Sequence, residues 1–249
     1  RPYYTYKKLH LEALKRIRNV KIFMEMKIMT SKLKRILRRA IRPPLHTAQV
    51  ELSYTVLGTE YGGWPLLDGE TPQGALIYSF GIGEDISFDL AAIEKYGCVV
   101  HGFDPTPHSK QWIDQQKLPA TFCFHLTGLG DKEGELEFFA PEKDGHVSYS
   151  ARPAPGSDLS KKITAPVRRL SQLIDQIGTE IPDVLKMDIE GFEYGVIDDI
   201  LAGSQRPHQW LIEFHHRMYG ISPDTTRGAV HKITQAGYQL FYVSESGHE

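Results

Sequence analysis

The chain has 249 residues, of which 41% are apolar and 24% are charged, and its net charge is only −2. These values are ordinary for a globular protein with one sizeable domain, or one domain and an appendage. Two cysteines are too few for a disulfide framework, and no apolar run approaches the roughly 20 residues that a membrane-spanning helix needs.

The small net charge conceals a basic segment followed by an acidic body. Residues 1–45 contain 14 lysines and arginines but only two acids, so the rest of the chain has a net charge of about −14. Within 9–41, apolar residues recur every three to five positions, which predicts one or two basic amphipathic helices. The sequence therefore predicts a basic helical extension over 1–45 and a globular domain over 46–249.

The role of the basic extension is open to several interpretations. Its apolar stripe can pack on its own domain, or it can contact a membrane surface or a protein partner. Nucleic acid is disfavoured as a partner, because aromatic residues are not interleaved with the basic ones. We expect a cytoplasmic protein, with peripheral membrane attachment as the alternative. An upstream signal or anchor is left open, because the chain begins with Arg1.

From residue 74 onward, short apolar runs alternate with helical patterns. Strands are predicted over 75–80, 98–103, 121–126, 135–140, 183–189, 209–214 and 238–243. Helices are predicted over 87–97, 108–117, 168–178, 192–202 and 225–237. Strands that alternate with helices are typical of a doubly wound α/β fold, in which helices cover both faces of a mostly parallel sheet.

The stretch YSFGIGED, residues 78–85, leaves the first of these strands through a bare turn. In a doubly wound sheet the ligand lies beyond the carboxyl ends of the strands, and glycine lets it approach the backbone because no Cβ intervenes. Gly81 and Gly83 are therefore candidate ligand-binding residues, although a tight turn without a ligand is the simpler interpretation. Glu84 and Asp85 follow at once and favour a ligand with positive charge.

A carboxylate also ends the next predicted strand. Asp104, in VHGFDPTP, falls 21 residues after Gly83, at a place where an acid accepts ribose hydroxyl groups in nucleotide-binding sheets. Capping the turn before Pro105 is the alternative role. The third glycine of a dinucleotide fingerprint is replaced by Ile86, and the neighbouring acids would repel a pyrophosphate. The pattern favours S-adenosylmethionine, with its sulfonium and amino groups, over a nicotinamide dinucleotide.

Two further strand ends add titratable groups at the same edge. LKMDIEGFE, residues 185–193, contains three acids within six positions, whose repulsion requires nearby cations or helix-end amides. LIEFHH, residues 211–216, ends with an acid and two histidines. The candidate general bases or metal ligands are Asp188, Glu213 and His215. A pair of surface histidines is the alternative interpretation of His215 and His216.

Six ordered blocks resemble methyltransferases of the FkbM type. They are YGGW at 61–64, IYSFGIGEDISFDL at 77–90, FDPTP at 103–107, HVSYS at 146–150, LKMDIEGFEY at 185–194 and LIEFHH at 211–216. The resemblance extends over about residues 50–247 and leaves 1–45 outside it. It implies the class I, S-adenosylmethionine-dependent fold, and methyl transfer to hydroxyl oxygens of sugars, polyketides or other small molecules.

The resemblance also implies roles for individual residues. The implied cofactor-binding residues are Gly81, Gly83, Glu84, Asp85, Asp104, Gly128, Asp131 and Asp188. In this assignment Asp104 takes the ribose hydroxyls, the TGLGD segment lies at the adenine, and Asp188 lies nearest the methyl group. The acid that often precedes the first glycine by two positions is Ser79 here. Binding of the amino-acid end of the cofactor then falls to Glu84, Asp85 or Asp188.

The expected reaction is an in-line displacement on the methyl carbon. The sulfonium leaves as a neutral thioether, so catalysis consists mostly of alignment and desolvation. A hydroxyl acceptor also needs a base, for which we expect Asp188 or His215, with Glu213 orienting the acceptor or the histidine. A divalent metal held by these three residues is a less favoured alternative. The segment from His146 to Ser160 is expected to cover the acceptor pocket.

Two other functions compete with this interpretation. One is a nicotinamide-dependent oxidoreductase on a similar sheet, which the missing third glycine disfavours. The other is a non-catalytic adaptor that keeps the fold and docks a partner or a membrane through the basic segment. The expected partner of the enzyme is a small-molecule or glycan acceptor, and its identity is not readable from the sequence.

Overall fold

A computed structural model describes residues 44–139, 162–204, 206–216 and 218–244 of the chain. Residues Leu45–Val243 belong to one compact unit. The basic helices predicted over 9–41 and the covering segment predicted from His146 to Ser160 lie outside the described residues. The domain boundary at residue 45 therefore stays a prediction.

The described residues form ten strands and five helices in chain order. The strands are β1 Tyr54–Leu57, β2 Trp64–Leu67, β3 Leu76–Phe80, β4 Val99–Phe103, β5 Phe122–His125, β6 Gly128–Leu129, β7 Gly134–Phe139, β8 Lys162–Arg168, β9 Val184–Met187 and β10 Gln209–Ile212. The helices are α1 Ser87–Tyr96, α2 Pro107–Ile113, α3 Leu170–Ile177, α4 Glu193–Ala202 and α5 Pro223–Gln235. None of these helices is long and apolar enough to cross a membrane.

The central sheet has five parallel strands in the order β10-β9-β3-β4-β5. The chain first builds β3, β4 and β5 outward in one direction and then returns to add β9 and β10 on the other side. Strand order thus reverses between β3 and β9, which is the switch point of a doubly wound fold. The predicted fold class is confirmed.

Both faces of this sheet are buried, because successive side chains of a strand point to opposite faces. Ile77, Val100 and Val184 belong to one apolar cluster, which α1, α2 and the β1–β2 hairpin cover. Tyr78 and Leu185 belong to the other, which α3, α4 and α5 cover. Continuous apolar runs such as ALIYSF are the sequence signature of strands that are buried on both sides.

Two smaller sheets flank the central one. The β1–β2 hairpin is antiparallel, with Leu57 opposite Trp64. The other sheet has the order β6-β8-β7, in which β8 runs parallel to β6 and antiparallel to β7. The prediction of 135–140 as one arm of a hairpin therefore matches β7, whose antiparallel partner is β8.

One predicted strand is wrong. Residues 238–243 form no strand, and the backbone hydrogen bonds at Leu240 involve the irregular segment at Gln49. The Gln49 N–H donates to the Leu240 carbonyl at 2.7 Å, and the Leu240 N–H donates to the Gln49 side chain at 2.9 Å. The apolar alternation of YQLFYV is present, but no described strand pairs with the segment, and strand structure needs a ladder as well as a pattern.

Candidate active site

The carboxyl ends of three adjacent strands bring predicted site residues together at the switch point. Gly81 follows β3, Asp188 follows β9 and Glu213 follows β10. Backbone hydrogen bonds continue the sheet past the strand ends, from Asp188 N–H to Phe80 C=O at 3.2 Å and from Glu213 N–H to Met187 C=O at 2.9 Å. Parallel register therefore aligns residues that are more than a hundred positions apart in the sequence.

The two glycines of the turn differ in what surrounds them, and therefore in why a side chain is absent at each position. A Cβ on Gly81 would lie 1.8 Å from the carbonyl oxygen of Asp188, and Gly81 has φ +75°. Glycine is needed there because β3 and β9 approach so closely. Gly83 has φ +50°, and no atom lies within 4 Å of the place where its Cβ would stand. Of the two, Gly83 is the one beside open space that a ligand can enter.

Asp104 connects the glycine turn to the second strand end. Its side chain is buried, with 6% of the residue surface exposed. One carboxylate oxygen accepts from Gly83 N–H at 3.0 Å, and the other accepts from the N–H and hydroxyl of Thr106 at 2.9 and 2.6 Å. The structure thus shows the turn-capping role that the sequence left open beside ribose binding. The ribose role stays a prediction.

Glu84 and Asp85 contact other parts of the chain. Glu84 is exposed, and its Oε1 lies 2.8 Å from His108 Nε2 in α2. Asp85 accepts from Ser87 N–H at 2.7 Å and from the Thr59 hydroxyl at 3.0 Å. Burial raises the pKa of Asp85, but these hydrogen bonds outweigh it and hold the pKa below the ordinary value. Asp85 is therefore a charged hydrogen-bond acceptor that fixes the loop carrying YGGW through Thr59.

Gly128 and Asp131 lie beyond the third strand of the parallel sheet, as the sequence predicts. A Cβ on Gly128 would meet Val167 at 3.1 Å and Pro105 at 3.4 Å, so this glycine packs beside the residue that follows Asp104. Asp131 is exposed, and its Oδ2 would lie 3.0 Å from a Cβ on Gly195 in α4. Their adenine role is untested by this geometry.

His215 is the centre of a cluster of carboxylates. It is 4% exposed, and its Nδ1 lies 2.8 Å from Oε1 of Glu193, which is itself fully buried. Its Nε2 lies 3.5 Å from Asp188 Oδ1 and 3.4 Å from Glu190 Oε2. His216 is also buried, at 6% exposed, so the interpretation as a surface histidine pair is wrong.

The cluster shifts the pKa values of its members in a consistent way. Burial lowers the pKa of His215, but the hydrogen bond to Glu193 and the neighbouring negative charges outweigh it and raise the pKa to about 10. Burial and then repulsion by Glu213 raise the pKa of Asp188 to about 7. Lys186 and His215 oppose that rise through their positive charge.

Sequence reasoning missed two buried charged residues near the glycine turn, Lys186 and Asp89. Lys186 is buried within β9, and its ammonium donates to the carbonyls of Phe80 and Gly81, both at 3.3 Å. Asp89 in α1 is 1% exposed, and burial raises its pKa to about 6 although Lys186 lowers it. The available signal was a lysine inside the otherwise apolar strand VLKM and an acid on the apolar side of α1.

Glu190 and Tyr61 complete the surroundings of the cluster. The sequence-based metal set was Asp188, Glu213 and His215, whereas the ligand atoms of Asp188, Glu190 and His215 lie within 4.8 Å of one another. Tyr61 in the YGGW loop is 89% exposed. Partial desolvation and then the charges of Asp188 and Glu213 raise the pKa of its phenol, so these acids lie near enough to act on it.

Comparison with known proteins shows which protein family the chain resembles. The family model described as the methyltransferase FkbM domain matches residues 74–240. The human protein named probable methyltransferase-like protein 24 is 25% identical over 176 residues, which cover 67% of this chain and 42% of that protein. Its rat counterpart is 23% identical over 156 residues, which cover 62% and 36% respectively. The chain spans less than half the length of these relatives, and no solved structure matches it significantly.

Proposed function

This chain belongs to the FkbM family of methyltransferases, and from that premise we propose that it transfers the methyl group of S-adenosylmethionine to a hydroxyl oxygen of a small molecule or glycan. The observation that carries the proposal is the meeting of the glycine turn, Asp104 and the acidic cluster at the switch point of one parallel sheet. Ligands of doubly wound folds bind at that point.

The charge of the crevice suits a sulfonium nucleoside. Four carboxylates belong to it, from Asp188, Glu190, Glu193 and Glu213, against the two basic side chains of His215 and Lys186. A cationic ligand relieves this excess of negative charge, whereas a pyrophosphate would increase it. The charge of the crevice therefore supports S-adenosylmethionine and disfavours the nicotinamide alternative.

The raised pKa of Asp188 supports its proposed role as the base. A general base is most effective when its pKa lies near the operating pH, and that of Asp188 lies at about 7. In the proposed step the acceptor oxygen attacks the methyl carbon and its proton passes to Asp188. The carbon–sulfur bond breaks with its electron pair remaining on sulfur, so a neutral thioether leaves. His215, which Glu193 holds in position, orients the reacting groups.

The mouth of the crevice supports a ring-shaped acceptor. The exposed phenol of Tyr61 gives an aromatic face beside the acids. Such a face packs against the apolar side of a sugar or an aromatic ring, and the carboxylates then bind its hydroxyl groups.

A methyl-transfer assay tests the proposal. The full chain is incubated with S-adenosylmethionine labelled in the methyl group and a panel of sugars, glycans and phenols, and both labelled product and S-adenosylhomocysteine are measured. We expect transfer to at least one hydroxyl compound, with turnover reduced at least about 100-fold in Asp188→Asn. Cofactor binding without transfer to any acceptor would favour the non-catalytic adaptor instead.

A further inference from the structure

We propose that Asp188, Glu190 and His215 bind a divalent first-row metal ion, which in turn binds the acceptor oxygen. The binding of the ion stands on the geometry of the site alone. Its role in activating the acceptor rests on the proposed methyltransferase function.

The spacing of the three side chains fits one shared ion. His215 Nε2 lies 3.5 Å from Asp188 Oδ1 and 3.4 Å from Glu190 Oε2, and all three ligand atoms lie within 4.8 Å of one another. Ligands about 2.1 Å from an octahedral ion lie roughly 3.0 Å apart when adjacent and about 4.2 Å apart when opposite. Small movements of the three side chains would therefore bring their ligand atoms to one shared ion.

The hydrogen bond between His215 and Glu193 prepares the histidine as a ligand. A metal-bound histidine commonly donates its other ring N–H to a carboxylate, which fixes the tautomer and raises the basicity of the ligand nitrogen. Glu193 is 0% exposed and accepts at 2.8 Å from Nδ1 of His215 and at 3.0 Å from Gly191 N–H. With Nδ1 thus engaged, Nε2 is the ring nitrogen that faces the two remaining carboxylates.

The backbone at Glu190 is strained in a way that serves the same site. Within the described residues, only Glu190 (φ +52°) and Tyr219 (φ +49°) are non-glycine residues with positive φ. The two are hydrogen-bonded to each other, because the Tyr219 hydroxyl donates to Glu190 Oε2 at 2.5 Å. Strained conformations of this kind persist where surrounding contacts hold a side chain in a functional position.

The ligand types select the class of ion. Carboxylate oxygens suit magnesium, calcium and manganese, whereas an imidazole nitrogen suits zinc and the heavier first-row ions. A site with two carboxylates and one histidine is therefore best tested with Mn²⁺, and Zn²⁺ is the natural competitor. A positive ion also balances the negative charge of the carboxylates that surround His215.

The ion lowers the pKa of an acceptor hydroxyl that binds to it. The hydroxyl proton then passes to Glu213, a carboxylate of the cluster outside the ligand set, and the resulting alkoxide attacks the methyl carbon. The new carbon–oxygen bond forms as the carbon–sulfur bond breaks toward sulfur. In the metal-bound enzyme Asp188 is a ligand, so Glu213 replaces it as the base.

The test measures Mn²⁺ binding directly, without cofactor or acceptor. The full chain is stripped with EDTA, desalted and titrated with Mn²⁺, and free aqueous Mn²⁺ is followed by electron paramagnetic resonance. We expect one bound equivalent per chain, an affinity at least about tenfold lower in Glu190→Gln and His215→Gln, and competition by Zn²⁺. Glu94→Gln, which removes an exposed carboxylate from α1, should bind like the wild type.

The outcomes separate the site from the reaction. No loss of free Mn²⁺ in the wild type, or an unchanged affinity in Glu190→Gln with a normal unfolding transition, would overturn the metal site. Normal Mn²⁺ binding by a protein that transfers no methyl group would support the site and count against the proposed function alone. Methyl transfer that is undiminished by EDTA would overturn the activating role of the ion.

Discussion

Asp89 shows how one buried carboxyl group couples the stability of this fold to pH. It is 1% exposed, and burial raises its pKa from the ordinary 3.8 to about 6, against the opposing charge of Lys186. One of its oxygens, Oδ1, has no hydrogen-bond partner among the described residues. Burial thus favours the neutral acid over the carboxylate more strongly in the native protein than in the unfolded chain.

Asp89→Asn should therefore change how stability depends on pH. Between pH 4 and 6 the native state binds more protons at this residue than the unfolded state, so Asp89 lowers the stability of the wild type as pH rises through that range. Above pH 6 this cost reaches about 3 kcal/mol. We expect Asp89→Asn to match the wild type near pH 4 and to exceed it by roughly this amount at pH 8. Urea unfolding across that range measures the difference, and a gap that does not change with pH would contradict the assignment.

The two glycines of the turn predict two different costs for the same substitution. Gly83→Ala places a Cβ in open space, so only the left-handed backbone should lower the free energy of unfolding, by about 1 kcal/mol. Gly81→Ala has the same backbone strain and also brings a Cβ against the Asp188 carbonyl oxygen, so β3 and β9 must separate. We expect at least about 3 kcal/mol from urea unfolding of the second variant. Equal losses of unfolding free energy in the two variants would show that β3 and β9 separate at little energetic cost.

At the residue scale, the sequence identified which residues lie at the site, but it did not identify the contacts that explain why each residue is there. Gly81, Asp104, Asp188 and His215 were all expected at one edge of the sheet. The close approach that makes Gly81 a glycine involves a carbonyl about a hundred residues later, which no local pattern reveals. The contact between Glu193 and His215 is of the same kind, because it depends on how β10 and the start of α4 pack together.

Among the elements, strands that are buried on both faces were the most predictable. Runs such as ALIYSF and CVVHGF are continuous and apolar, and they correspond to β3 and β4. The strand β8 was missed because it contains Pro166, which argues against a strand, and because its last residue, Arg168, fell within the helix predicted over 168–178. The short β1 and β2 were missed because part of β1 faces solvent and carries little apolar signal.

The start of α2 predicts a link between helix capping and cofactor binding. Thr106 accepts from Ser109 N–H at 3.2 Å as the N-cap, and its hydroxyl donates to Asp104 at 2.6 Å. Thr106→Val keeps the shape and removes both bonds. We expect a loss of about 1–2 kcal/mol in stability by urea unfolding and a weaker affinity for S-adenosylmethionine, because Asp104 loses a partner that fixes its position.

A second cap provides the matched control for that variant. Ser222 caps α5 by accepting from Thr225 N–H at 3.2 Å, and the hydrogen bonds of its side chain go to Thr225, away from Gly81, Asp104 and Asp188. Ser222→Ala should cost about 1 kcal/mol and leave cofactor affinity unchanged. Equal affinities in the two capping variants would separate Asp104 from the binding site.

At the scale of the whole molecule, sheet topology assembles the site. Residues near 81, 104, 188 and 213 are scattered along the chain, and parallel strands in the order β10-β9-β3-β4-β5 bring their ends to one edge. The alternation of helices and strands was enough to predict this convergence, because a doubly wound sheet has one switch point. Which side chain faces which was not predictable, since that depends on packing between helices and loops that share no sequence pattern.

Calorimetric titration of the full chain with S-adenosylmethionine tests most directly the proposal that this edge of the sheet binds the cofactor. The wild type should bind one equivalent, Asp104→Ala should bind at least about tenfold more weakly, and His215→Ala should bind nearly as well as the wild type while turning over more slowly. A wild-type protein that releases no heat with S-adenosylmethionine, or an Asp104→Ala variant with unchanged affinity, would contradict the account.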